Sequence, residues 1–111
     1  MQHHPLATFR AGTTWVIDGQ LRRRDKTNPP LDGSRTIKWT LVDATGAEVA
    51  TEVDAVITVT DVLASTFRIK VLKERTETIP AGSYTDYLDL IEPDGSRIPY
   101  WQGPIIVERE I

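Results

Sequence analysis

The chain has 111 residues, 40% of them hydrophobic, which suits one domain with one core and is too many for a disordered segment. It has no cysteine, which removes disulfides, thiolate metal sites and thiol nucleophiles and leans toward synthesis inside the cell. Its 13 basic and 16 acidic residues leave a net charge of −3, the wrong sign for a dedicated nucleic-acid binder, and no apolar run approaches the roughly 20 residues that span a bilayer.

Taken in chain order, residues 1–8 read as a flexible N-terminal tail, without the charged and apolar regions of a secretory signal. The adjacent His3 and His4 sit in it as a tail or tag remnant; the rival reading, a metal site, lacks an anchored third ligand. A short strand over 6–10 precedes a longer one over 14–22. The run Arg22-Arg23-Arg24-Asp25-Lys26 follows, either a solvated strand end that discourages edge pairing or a contact for phosphate or an acidic partner.

Alternation of period two then predicts strands over 36–42, 48–53, 56–60 and 66–72. Residues 55–64 could instead form a short helical turn, but their valines and threonines favour strand. Residues 72–78 are charged and read as an exposed connection between sheets. Strands over 83–91 and 97–107 complete the set, the last interrupted near Gly103-Pro104 because proline cannot donate to a ladder. Asn28-Pro29-Pro30, Asp32-Gly33, Asp43-Ala44-Thr45-Gly46, Pro80-Ala81-Gly82 and Pro93-Asp94-Gly95 punctuate the runs as turns.

One greasy sheet of this size needs a cover, and with no helix expected a second sheet supplies it. The fold expected is an all-β, immunoglobulin-like, two-sheet antiparallel sandwich of seven to eight strands over residues 9–111. Ile37, Trp39, Leu41, Ile57, Val59, Phe67, Ile69 and Val71, with Val16, Leu88, Leu90, Ile105 and Val107, form the expected core, and Trp39 its centre. Pro80-Ala81-Gly82-Ser83-Tyr84 reads as a corner whose tyrosine hydroxyl ties the next strand back to upstream backbone, giving Pro80, Gly82 and Tyr84 structural roles.

The search for chemistry returns little. With two adjacent histidines and no cysteine, the usual triads and zinc sets lack parts. Asp86 and Asp89 lie three apart on a strand and so face opposite ways, which rules out a carboxylate pair acting on one substrate. Asp18, Asp25, Asp32, Asp43 and Asp94 read as turn formers, without the spacing of a calcium loop. Neither catalytic residues, nor a metal, nor a cofactor is expected. Tyr100 and Trp101 are neighbours on a strand, so one should face out, as an interface or sugar-stacking contact or as a lid on one end of the sandwich. Trp15 poses the same choice.

The order of these motifs is informative as a set. Gly12-Thr13-Thr14-Trp15, then Asn28-Pro29-Pro30-Leu31-Asp32-Gly33, Ile37-Lys38-Trp39, Ile79-Pro80-Ala81-Gly82-Ser83-Tyr84 and Gly103-Pro104-Ile105-Ile106-Val107 follow one another from about Phe9 to Arg109. This order resembles small immunoglobulin-like modules of tailed bacteriophages and prophages, in particular the N-terminal domain type of baseplate upper proteins. The chain departs from that pattern at Thr13, where an acidic residue is frequent, in the order Leu31-Asp32, and in the order Asp86-Tyr87. The resemblance implies a non-enzymatic virion or assembly component of the tail or baseplate region. Its partners would be other phage structural proteins or further copies of itself, with no nucleic acid and no membrane insertion. A surface-binding module, for carbohydrate or a host surface, using Tyr100, Trp101 or Trp15 is the alternative.

Overall fold

The computed structural model describes residues 2–22, 27–51 and 55–109. Among them are nine strands: β1 (Gln2–His3), β2 (Ala7–Arg10), β3 (Trp15–Gln20), β4 (Thr36–Val42), β5 (Glu48–Thr51), β6 (Ala55–Asp61), β7 (Thr66–Val71), β8 (Gly82–Ile91) and β9 (Arg97–Glu108). One four-residue helix, α1 (Lys73–Thr76), joins β7 to β8. The strands form two sheets: β9-β8-β4-β5, with β1 and β2 both on the outer edge of β9, and β3-β7-β6. Most pairs are antiparallel, but β1 and β2 run parallel to β9, so the sandwich is not wholly antiparallel.

The segment expected as a loose tail is therefore part of the larger sheet. His3 lies opposite Gln102 and Ala7 opposite Ile105. The gap between them, His4-Pro5-Leu6, falls beside Gly103-Pro104. That explains why β9 runs unbroken through its proline: the neighbouring strand carries the interruption, so the missing proline N–H deprives no partner strand. The irregularity in β9 lies earlier, where Leu88 pairs Trp101 and Asp89 pairs Pro99, leaving Tyr100 as the extra residue of a bulge.

The alternation puts one face of each sheet in the core. Trp39, Leu41, Phe67, Ile69, Val71, Leu88, Leu90, Ile105 and Val107 are buried there. Of the other expected core residues, Ile37 is buried as well, Ile57 is only half-buried, and two are exposed. Val16 is 44% exposed because its neighbour Trp15, 1% exposed, takes the inward position and a strand cannot bury both. Val59 is 39% exposed because β6 is the outermost strand of the smaller sheet.

The corners are tied by side chains. Tyr84 Oη donates to the Pro80 carbonyl at 2.6 Å. The Asp32, Asp43 and Asp94 carboxylates each accept a backbone N–H and a hydroxyl two residues on, from Ser34, Thr45 and Ser96. Those bonds hold all three carboxyls below the usual aspartate range. Asp18, expected in a turn, instead lies within β3 opposite Arg68, with which it pairs at 2.7 Å, while Asp25 lies outside the described residues. The 72–78 connection is exposed at Lys73, Glu74, Arg75 and Glu77 but not at Thr76, which is fully buried. Its hydroxyl donates to the Thr13 carbonyl at 2.7 Å and accepts the Gly12 N–H at 3.1 Å, fastening the β2–β3 turn.

Trp39 has no exposed surface. Replacing it by alanine is expected to cost about 3–5 kcal/mol, read as a lowered midpoint in chemical unfolding; a midpoint equal to that of the parent would show that it is not the core centre.

Candidate functional site

Among the described residues the most buried charged side chain is that of Asp86. The residue is 1% exposed, on the inward side of β8 between Tyr84 and Leu88. Burying a charge there without partners would be costly, and three donors meet it. Trp39 Nε1 donates to Oδ2 at 3.1 Å and Trp101 Nε1 to the same oxygen at 3.4 Å. His4 Nε2 meets Oδ1. The other ring nitrogen, Nδ1, lies 2.7 Å from the Pro5 carbonyl oxygen.

A carbonyl only accepts, so Nδ1 carries a hydrogen, and an ionised Asp86 carboxylate draws a second one onto Nε2, which favours the imidazolium form of His4. Burial pulls this group toward its neutral form. The hydrogen bond to Asp86, the bond to the Pro5 carbonyl and the charge of Asp86 outweigh that pull and hold its pKa above the ordinary histidine value.

Two glycines make room for the cluster. A Cβ on Gly103 would lie 2.4 Å from atoms of the His4 ring, so only glycine lets that ring rest against β9. A Cβ on Gly19 would lie 2.6 Å from both Phe67 Cζ and Trp101 Cη2. Those two rings stack at 5.7 Å over the space that Gly19 leaves. His4 also meets Trp101 edge-on, with ring centroids 6.4 Å apart.

Beside the cluster a cleft of about 170 Å³ opens between β2 and β3, with Ala7, Phe9 and Ile17 as its walls and Trp101, Ile105 and Asp86 at its base. Its lining is mostly apolar. Asp18 reaches its rim but is engaged with Arg68. Within this arrangement His4 has no free lone pair with which to take a proton, since both nitrogens donate.

The residues singled out in the sequence are scattered. Trp101 belongs to the cluster and is half-buried, with one face on Phe67. Tyr100 is half-buried against the core at the β9 bulge. Trp15 is no platform for a ligand: it is buried, stacked on Phe9 at 5.1 Å, and its Nε1 donates to the Arg10 carbonyl. Arg22 is exposed beyond the end of β3, while Arg23 and Arg24 lie outside the described residues. No three His, Asp or Glu side chains converge among the described residues. Asp86 and His4 were missed as a pair. The signal for Asp86 was present, since it holds an inward position in the Tyr84–Asp86–Leu88–Leu90 alternation; no local pattern marks His4 as its partner.

No family model and no curated protein matches the chain. Among solved structures it is similar to CopC from Methylosinus trichosporium OB3b, at 12% identity and a TM-score of 0.50, over 95% of this chain and 87% of that one. The fold is an immunoglobulin-like β-sandwich. Murine CRIg also aligns, at 12% identity and a TM-score of 0.41, over 96% of this chain and 92% of that one.

Two outcomes follow from the cluster. A histidine whose pKa is raised on folding contributes stability that is full below its unfolded value and is lost as pH rises through its folded value. Thermal stability should thus fall between pH 6 and pH 9 by more in the parent than in His4→Gln; equal falls would separate His4 from Asp86. Asp86→Ala leaves two indole N–H groups and an imidazolium without their acceptor and should cost about 3–5 kcal/mol, measured by chemical unfolding, whereas a loss under 1 kcal/mol would show that the carboxylate is dispensable.

Proposed function

We propose that this chain is a non-enzymatic docking module that works by contact with other protein subunits. The observation that carries this reading is the placement of exposed apolar side chains. Of the eight large hydrophobic residues exposed among the described ones, six lie on or beside the smaller sheet: Val16, Val56, Val59, Val62, Leu63 and Leu72. Leu63, at the β6–β7 turn, is 77% exposed. Isolated exposed apolar residues are ordinary, but six of eight gathered on one of the two sheets and at its ends support a surface that another protein covers. The engagement of both His4 nitrogens, which leaves the buried Asp86 pair without a free base, supports the non-enzymatic part.

The setting we propose is a phage or prophage particle, in the tail or baseplate region, with the chain made in the bacterial host cytoplasm and carried in the virion. The motif order from Gly12 to Val107 supports it. A second reading, a module for surface carbohydrate, rests on Trp101 and its cleft. That cleft is lined mainly by Ala7, Phe9, Ile17 and Ile105, which suits a small apolar group better than a hydroxyl-rich sugar.

Mass spectrometry of particles purified after prophage induction of the source strain tests the setting. The chain should be present in stoichiometric amount. Absence from particles while the protein is expressed would defeat the virion reading, and a glycan array with binding lost in Trp101→Ala would favour the second one.

A further inference from the structure

The cleft between β2 and β3 keeps its shape through bonds made outside it. Trp101, at its base, is held by its Nε1 bond to Asp86 and by its stack on Phe67. Phe9, on the β2 wall, stacks on the buried Trp15 ring, whose own Nε1 is tied to the Arg10 carbonyl. Between strand partners of ordinary size, β2 places the small Ala7 in an inward position opposite Ile105, and that leaves the space open. The hollow measures about 170 Å³. An apolar cavity of about 150 Å³ takes up benzene, so this one has room for a single aromatic ring with a small substituent.

The polar side chains at the cleft narrow the chemistry further. Those of His4, Asp86 and Asp18 reach it. Both nitrogens of His4 are engaged, with the Pro5 carbonyl and with Asp86 Oδ1, and the Trp101 N–H is engaged with Asp86 Oδ2. None of these side chains has a donor to offer. Acceptor capacity does remain. A carboxylate has about four lone-pair sites, and Asp86 meets His4 on Oδ1 and two indoles on Oδ2, so Oδ1 can take one more donor. Each carboxylate already faces a cationic partner, His4 for Asp86 and Arg68 for Asp18, so the cleft has no net charge to draw in a cation. An anion would meet two carboxylates and no unengaged donor side chain.

We propose that this cleft binds a small neutral aromatic molecule carrying one hydroxyl donor, a phenol in its simplest form. The ring lies against Phe9, Ile17, Trp101 and Ile105, and the hydroxyl donates to Asp86 Oδ1. Burial of the ring on an apolar lining drives entry. The bond to a buried, charged acceptor selects the ligand, because such a bond is stronger than one between neutral groups. A ring without a donor leaves the carboxylate site unused, and a ring bearing a carboxylate is repelled from it. Since the walls are already fixed, little ordering is required on binding.

Proton–nitrogen correlation spectra of the full chain, titrated with phenol, benzene and benzoate, test the site. Phenol should shift the Trp101 indole N–H and the amides of Ala7 and Ile17 in a saturable way, and should bind about ten-fold more tightly than benzene. Benzoate should leave those signals in place. Ala7→Leu and Ile17→Phe extend into the cleft from its two walls, and each should weaken phenol binding by about ten-fold or more, with melting of each variant recorded alongside. If one variant fails to fold, the other and the three-ligand series still decide. No saturable shift up to about 10 mM phenol, benzene or benzoate binding as tightly as phenol, or a variant that melts like the parent and keeps its affinity would overturn the site. The docking reading is independent of either result, since none of its six exposed apolar residues lines the cleft.

Discussion

The buried Asp86 carboxylate is the interaction on which the arrangement of this sandwich depends. A full charge in a core must be met by donors from several directions, and the three that meet it come from distant parts of the chain: His4 from the N-terminal segment, Trp39 from β4 and Trp101 from β9. The larger sheet is thereby stitched from its covered edge to its middle. The same bonds aim both indoles, since an indole N–H that must reach one oxygen cannot turn elsewhere. The two close-approach glycines follow from this demand. Gly103 lets the His4 ring lie against β9, and Gly19 lets Trp101 and Phe67 stack under β3.

The stitching also decides which edges remain open. By holding His4 the carboxylate keeps β1 and β2 along β9, and the longest strand of the larger sheet is closed to outside pairing. On the smaller sheet no strand among the described residues lies beyond β6. The two sheets therefore differ at their edges, and Val56, Val59, Val62 and Leu63 are exposed on β6 and its turn. This asymmetry supports the proposed docking role.

Much of the fold is legible in the sequence because it is local. Alternation in Ile37-Lys38-Trp39-Thr40-Leu41 and Phe67-Arg68-Ile69-Lys70-Val71 gives strands with one buried face, and Pro80-Ala81-Gly82-Ser83-Tyr84 gives the corner that Tyr84 Oη closes. Parity at a strand start is less legible: Trp15 and Val16 are both apolar, and only packing against Phe9 determines that the tryptophan turns inward. The short strand β1 has no periodicity to read, since two residues cannot alternate, and its place on β9 is set by the His4–Asp86 bond across 82 positions of sequence. Asp86 could have been suspected, because an acidic residue in an inward position must find donors, but which donors depends on topology. Of the charge run, Arg22 lies within the described residues and is exposed.

The account turns on one protonation state. Long-range proton–nitrogen correlation spectra of uniformly labelled protein, recorded near neutral pH, report directly whether each imidazole nitrogen of His4 carries hydrogen. The account predicts two protonated ring nitrogens for His4 at a pH where an ordinary histidine is largely neutral, with the proton on Nε2 shared toward the Asp86 carboxylate. A neutral ring with one bare nitrogen, titrating like a histidine in an unfolded peptide, would contradict it and return the N-terminal segment to the status of a tail.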